Sequence, residues 1–308
     1  MDSEDRKSDF SDMDIDAFCE KLIVALRERV PAGTPVQIQL LTKANKNDLH
    51  ALIIGATENT LRPALYIDGA YKALKDGTFT WEETVEGIYG LYQLGQENAL
   101  SFDEEGLTDW NKAKDQIAYR LINRERNAGF LETVPYTPWL DLAIIFAYVV
   151  PAKGDTQGMV VVNNALKQTW GVGTQVLFAQ AKKNTQRLLP LYFTFLSEQL
   201  SSVKEAEKIM QEPGFIDMPV ITNRFRTYGS SAILYNGVLD KIHEAAHGSF
   251  YILPSSIHEV MILPAKEGMS IDGISKMVQG ANSTSVPEKD FLSDHAYYYE
   301  AENGEIRY

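Results

Sequence analysis

The longest apolar run in the chain is Trp139 to Val150, interrupted only by Asp141. A membrane-crossing helix needs about 20 apolar residues, and no run here reaches that length. The segment is of strand length. Apart from Asp141, Leu140 to Val150 is apolar at successive positions, the pattern of a strand buried on both faces at the centre of a sheet. Such a strand needs neighbours. Ile117 to Ile122 reads as a strand, Asn127 to Leu131 as a short helical piece, Gly154-Asp155 as a turn and Gly158 to Asn163 as a hairpin partner. Thr174 is placed as the cap of a helix that reaches Leu188 and stops at Pro190. Leu191 to Met210 reads as further helix, closed by Gln211-Glu-Pro-Gly214. With 308 residues, 44% of them hydrophobic, the chain can bury one large core or two modest ones.

Similar elements lie on either side. Asp16 to Val30 is an amphipathic helix, with Phe18, Leu22 and Leu26 four residues apart. Val36 to Leu40 and Leu49 to Gly55 form a hairpin around Asn45 to Asp48. Thr80-Trp-Glu-Glu83 is a capping box for a helix that runs to about Leu94. Towards the C-terminus, Pro219 to Arg224 reads as a strand. Ser230 to His247 reads as one helix, with Gly248 at its C′ position. Phe250 to Leu253 and Val260 to Leu263 are strands joined by Pro254 to Glu259. Ser270 to Gly280 is a short helix. His295 to Ala301 and Glu305 to Tyr308 form a hairpin in which Asn303-Gly304 supplies positive φ.

Paired strands separated by single helices predict an α+β protein with mixed or antiparallel sheets. The expected layout is an acidic disordered tail over residues 1–15, an N-terminal α/β subdomain over 16–108, and two loosely related α+β units over 109–214 and 215–308. These two units share the order strand, helical piece, two adjacent strands, helix.

The net charge is −13 and is unevenly spread: residues 1–16 hold seven acids against two bases, and residues 288–308 six against two. A groove that tracks phosphates needs clustered Lys and Arg, and only Lys182-Lys183 and Arg224-Phe225-Arg226 come close. Nucleic-acid binding is therefore not expected. An acidic inhibitor that mimics nucleic acid is one alternative reading of the tail. Cys19, between Phe18 and Leu22, reads as a small buried hydrophobe. One cysteine and no apolar leader fit a cytoplasmic protein.

Three motifs carry possible chemistry. His243-Glu244-Ala-Ala-His247 has the H-E-x-x-H spacing, in which two His one helical turn apart hold zinc and the Glu activates water. A zinc peptidase using His243, His247 and Glu244 is thus an alternative. No third His follows at the extended spacing, and two His at a helix end already suit its dipole. Ser255, Ser256, His258 and Glu259 bring Ser, His and an acid together, yet such triads are assembled from distant segments, and no G-x-S-x-G elbow is present. Gly171-Val-Gly173 lacks the context of a nucleotide-binding fingerprint.

Ile252-Leu-Pro-Ser-Ser-Ile-His-Glu-Val-Met-Ile-Leu-Pro264 resembles the signature of an uncharacterised bacterial family, domain of unknown function 5688. Val220-Ile-Thr-Asn223, Tyr235-Asn-Gly-Val-Leu239 and Ser293-Asp-His-Ala-Tyr-Tyr-Tyr299 are similar to further segments of it. So are Tyr119-Arg-Leu-Ile-Asn123 and Leu140-Asp-Leu-Ala-Ile144. The resemblance covers nearly the whole chain after the tail and implies no activity. In element order alone the chain also resembles a family of Gram-positive bacteria, domain of unknown function 1444.

The expected function is non-catalytic binding of a protein or small ligand, with no cofactor and no membrane. The expected surface is Thr222, Asn223, Arg224, Ser255, Ser256, His258 and Glu259, because polar side chains in a short loop between apolar strands are not needed for the core.

Overall fold

The computed structural model describes residues 10–42, 44–45, 48–55, 64–97, 104–153, 156–199 and 217–308. Chain contacts divide it into two compact units, residues 1–105 and 106–308. The fold is α+β with antiparallel sheets. Among the described residues no helix is long and apolar enough to cross a membrane.

In the first unit, Ile15–Arg27 forms helix α1, whose first turn is capped by Asp14 Oδ1 accepting the Ala17 N–H at 2.8 Å. Its 3.6-residue period buries Phe18, Leu22 and Leu26. They pack against a three-stranded sheet, β1 (Val36–Leu41), β2 (Leu49–Ile54) and β3 (Leu65–Tyr66). The expected hairpin is present, with Val36 opposite Ile54. The capping box also forms: Glu83 accepts the Thr80 N–H at 2.8 Å and donates its own N–H to Thr80 Oγ1 at 3.2 Å. Residues 1–9 of the acidic segment lie outside the described residues. The rest of it is docked, because Phe10 stacks on Trp81 with centroids 5.8 Å apart and Met13 packs against the same core.

The second unit holds two sheets. Strand β6 (Leu142–Lys153) is the hub of one: β4 (Ile117–Asn123) and β5 (Tyr136–Trp139) flank it, and β7 (Thr156–Val161) pairs with it further along. The apolar run thus forms a central strand, but it starts two residues later than expected. Trp139 belongs to β5, and Leu140 turns the chain at φ +52°.

The other sheet has the order β13-β12-β10-β11-β9-β8, built from β8 (Leu191–Phe195), β9 (Pro219–Asn223), β10 (Phe250–Leu253), β11 (Val260–Pro264), β12 (Tyr297–Tyr299) and β13 (Ile306–Arg307). β8 falls where further helix is expected. Pro190 interrupts the helical ladder, and Leu-Tyr-Phe-Thr-Phe suits a strand that can pair with β9. The boundary expected at residue 214 lies outside the described residues, and β8 before it pairs with β9 after it.

The two sheets share a local pattern. β4 and β5 both pair antiparallel with β6, and β9 and β10 both pair antiparallel with β11. Each is a first–third–second strand order with a helical segment between the first two strands.

Candidate functional site: a clamped segment and the pocket it walls

The helix expected over Ser230 to His247 is divided. Gly229–Leu234 is 3-10 helix, Gly237 sits at φ +75°, and the α-helix covers Val238–Ala246. Its left-handed terminal position is taken by His247 at φ +54°, not by Gly248. His247 has therefore left the helix, and the one-turn spacing that would set it beside His243 is not realised. The His243 ring Nδ1 lies 3.1 Å from the Gly248 carbonyl. Among the described residues no group of three or more His, Cys, Asp or Glu could hold a metal ion.

The polar loop residues turn inward. Thr222 and Asn223 are fully buried in β9. Thr222 Oγ1 donates to the His258 carbonyl at 2.7 Å, and Asn223 bonds the backbone of Phe225 and Thr227. Arg224 is exposed, and its N–H donates to Pro190 O at 2.8 Å. Ser256 Oγ accepts the His258 N–H rather than touching the imidazole, so no serine triad forms. His258 Nδ1 accepts the Tyr228 N–H at 3.3 Å, while Nε2 lies 3.1 Å from Asp290 Oδ1. With the amide donor at Nδ1 and the Asp290 carboxylate at Nε2, the ring clasps Tyr228 to Asp290. Glu259 is half-buried just before β11.

What this loop grips is the segment 290–293. Ile257 N–H donates to Asp290 O at 2.8 Å, Leu292 N–H to Ser255 O at 3.1 Å and Ser293 N–H to Pro254 O at 3.0 Å. Ser256 forms a β-bridge with Phe291. Other elements hold the same segment. Asn123 at the end of β4 donates to Leu292 O at 2.9 Å, and Asn282 on the Ile271–Thr284 helix donates to Ser293 O at 3.0 Å. Asp141, in the β5–β6 turn, accepts from the Ser293 and Tyr297 hydroxyls. Seven backbone or side-chain groups from four regions of the sequence thus converge on four residues, more than a surface turn needs.

Phe291 of the clamped segment lines a cavity of about 300 Å³. Gln279, Asn282 and Ser283 from the last turns of the Ile271–Thr284 helix form another wall, and Glu288 and Asp294 bring two carboxylates to it. Arg126, from the turn after β4, closes the third side. Its N–H donates to Asn123 Oδ1 at 2.8 Å, and its guanidinium carbon lies 3.5 Å from the centroid of Phe291. A cation over a buried ring is held in place without being neutralised. Asn282 Nδ2 is committed to Ser293 O, which orients the amide, and its Oδ1 is buried with no hydrogen-bond partner among the described residues. The arrangement sets a cation, two carboxylates and amide groups around a small concave space with an aromatic floor, as small-molecule sites do.

Behind the clasp lies Arg120, a residue that the sequence reading passed over. It is almost fully buried on β4, with its guanidinium carbon 4.1 Å from the Tyr228 ring centroid, and its Nε has no hydrogen-bond partner among the described residues. Burial lowers its pKa from the usual arginine range, and Tyr228 opposes that shift. Tyr228 and Arg226 are non-glycine residues at φ near +50°, a conformation that costs of order 1–3 kcal/mol each. The His258 clasp and the Ser231 hydroxyl, which donates to the Tyr228 carbonyl at 3.1 Å, hold Tyr228 there. An arginine inside an otherwise apolar strand, Ile-Ala-Tyr-Arg-Leu-Ile, was the available signal.

A model of a family of unknown function, DUF5688, matches residues 15–301. No curated protein and no solved structure matches the chain significantly.

Proposed function

The chain belongs to the family of unknown function DUF5688, and we propose that it is a non-catalytic binding protein that takes a small zwitterionic molecule in the Arg126–Asp294 pocket. The observation that supports this most is the investment of the Pro254–His258 loop in the 290–293 wall. Binding groups need to be held by a rigid surrounding shell, and here that shell is built from distant segments. Arg126 suits an anionic group such as a carboxylate. Asp294 and Glu288 suit a cationic one, and Phe291 adds an aromatic surface beside the Arg126 guanidinium. A reducing compartment such as the cytoplasm fits the one cysteine, which is buried and whose thiol is pushed up to about 11 chiefly by burial. The binding surface in this reading is displaced from the loop to the segment that the loop supports.

The test is a thermal-shift screen with the free L-amino acids, with acetate and methylammonium as single-charge controls. The wild type is expected to be stabilised by at least one zwitterion and by neither control. Arg126→Ala and Asp294→Ala are expected to lose that shift while melting as the wild type does without ligand. A screen with no shift, or a shift that survives Arg126→Ala, contradicts the proposal.

A further inference from the structure

A different surface, independent of the pocket, is the outer edge of the larger sheet. β8 ends the larger sheet, and among the described residues no strand pairs with its outer side. The bonds at its two ends fix its register: Arg224 N–H donates to Pro190 O, and Leu196 N–H donates to Met218 O at 2.9 Å. Antiparallel ladders alternate, so Tyr192 and Thr194 bond β9, whereas Leu191, Phe193 and Phe195 direct their N–H and C=O groups outward. The Phe195 N–H is covered by Glu198 Oε2 at 3.3 Å. The side chains of Leu191, Phe193 and Phe195 share one face of the sheet and are 37%, 53% and 39% exposed. Natural edge strands are blunted by Lys, Pro, bulges or covering elements. Leu191–Phe195 contains none of the first three.

The ends of this edge differ in charge. Arg226 lies by the N-terminal half, its guanidinium carbon 5.2 Å from the Tyr192 centroid. Glu198 lies by the C-terminal end together with Asp217, which accepts the Ser197 N–H at 2.9 Å.

We infer that β8 pairs antiparallel with β8 of a second copy of this chain, about a two-fold axis at Phe193. Such pairing is isologous. Phe193 exchanges both backbone bonds with its counterpart, and each Leu191 N–H meets the other copy's Phe195 carbonyl. The apolar side chains of both copies merge into one stripe. The antiparallel direction sets the Arg226 end of one copy against the Glu198 and Asp217 end of the other, whereas a parallel partner strand of the same sequence sets like charges together. The product is one sheet continuous through both copies.

The test is sedimentation velocity of the full chain over roughly 1 to 100 µM, a range that brackets micromolar affinity. A dimer is expected that dissociates on dilution and weakens with salt. Phe193→Asp is expected to sediment as a monomer and to melt as the wild type does at dilutions where it is monomeric. A hydrogen-bonded antiparallel pair sets Cα atoms about 5.5 Å apart, within disulfide reach. Oxidised Phe193→Cys should therefore give a covalent dimer, and Val176→Cys, exposed on the Thr174–Leu188 helix, should not. The inference is overturned by a chain that stays monomeric throughout, by a dimer that survives Phe193→Asp, or by Phe193→Cys that cross-links no faster than Val176→Cys. If Phe193→Asp does not fold, the cross-linking comparison decides.

Discussion

Gly229 has no space for a side chain. A Cβ there would lie 2.1 Å from Thr222 Oγ1 and 2.6 Å from both Asn223 N and His258 O. Two of those contacts are backbone and cannot swing away, so Gly229→Ala is expected to cost about 3 kcal/mol or more. Urea unfolding measures it, and a loss under 1 kcal/mol would show that the β9–His258 junction is looser than its contacts imply. Arg120 makes the opposite point. Its buried charge faces an aromatic ring and, among the described residues, no carboxylate, and buried charges are frequently replaced by apolar residues without loss. Arg120→Met should therefore be neutral or stabilising, whereas Tyr228→Ala, which strips the cover from the cation, should cost about 3 kcal/mol. Equal losses for the two would mean that the charge itself holds the fold. At this scale the sequence showed that Thr222, Asn223 and His258 are chemically unusual for their surroundings. It could not show that Thr222 pairs with the His258 carbonyl and His258 with Tyr228 and Asp290, because those contacts span up to 36 residues.

Among elements, periodicity identified α1, the β1–β2 hairpin, the central strand and the β10–β11 pair, where apolar spacing and turn chemistry agree. It failed where they conflict. Tyr235-Asn-Gly237 was absorbed into a long helical stripe because Leu234, Val238 and Ile242 keep helical spacing on either side of it. Gly237 in fact breaks the helix at φ +75°. β5 was missed since Pro138 and two polar-flanked aromatics hide its alternation, and β8 was read as a continuation of the preceding helix. The conformational argument yields a test. The Gly237 Cβ site is open space, so the strain of positive φ acts alone, and Gly237→Ala should cost about 1 kcal/mol. Chemical denaturation of the variant checks this. No loss would mean that the Tyr235–Val238 junction relaxes into continuous helix.

For the whole molecule, length and composition left one large core or two modest ones open, and chain contacts divide the molecule into two compact units; the α+β class was legible from paired strands alone. The pocket was not legible, since its walls come from the turn after β4, the Ile271–Thr284 helix and the segment behind it. The second unit's interior also sets its response to alkali. Burial raises the pKa of the Tyr119, Tyr235 and Tyr297 hydroxyls well above the ordinary 10, and Asp141 adds to the shift at Tyr297. A phenol is neutral when protonated, so the unfolded chain ionises first. The stability is fully present below pH 10 and falls above it by about 1.4 kcal/mol per pH unit for each such group. Absorbance at roughly 295 nm should show these three ionising only together with unfolding. Ionisation of all the tyrosines before any loss of structure would contradict it.

The claim that joins these scales is that the His258 loop exists to hold the wall of the pocket. Hydrogen exchange of the backbone amides in 290–293, compared between wild type and His258→Ala, tests it most directly, since Leu292 and Ser293 donate to that loop. Losing the Asp290 clasp should speed exchange at Leu292 and Ser293 about tenfold, equivalent to about 1.4 kcal/mol of local stability, and leave the β4–β6 ladder protected as before. Unchanged protection at Leu292 and Ser293, or an equal loss across β4 and β6, would contradict it.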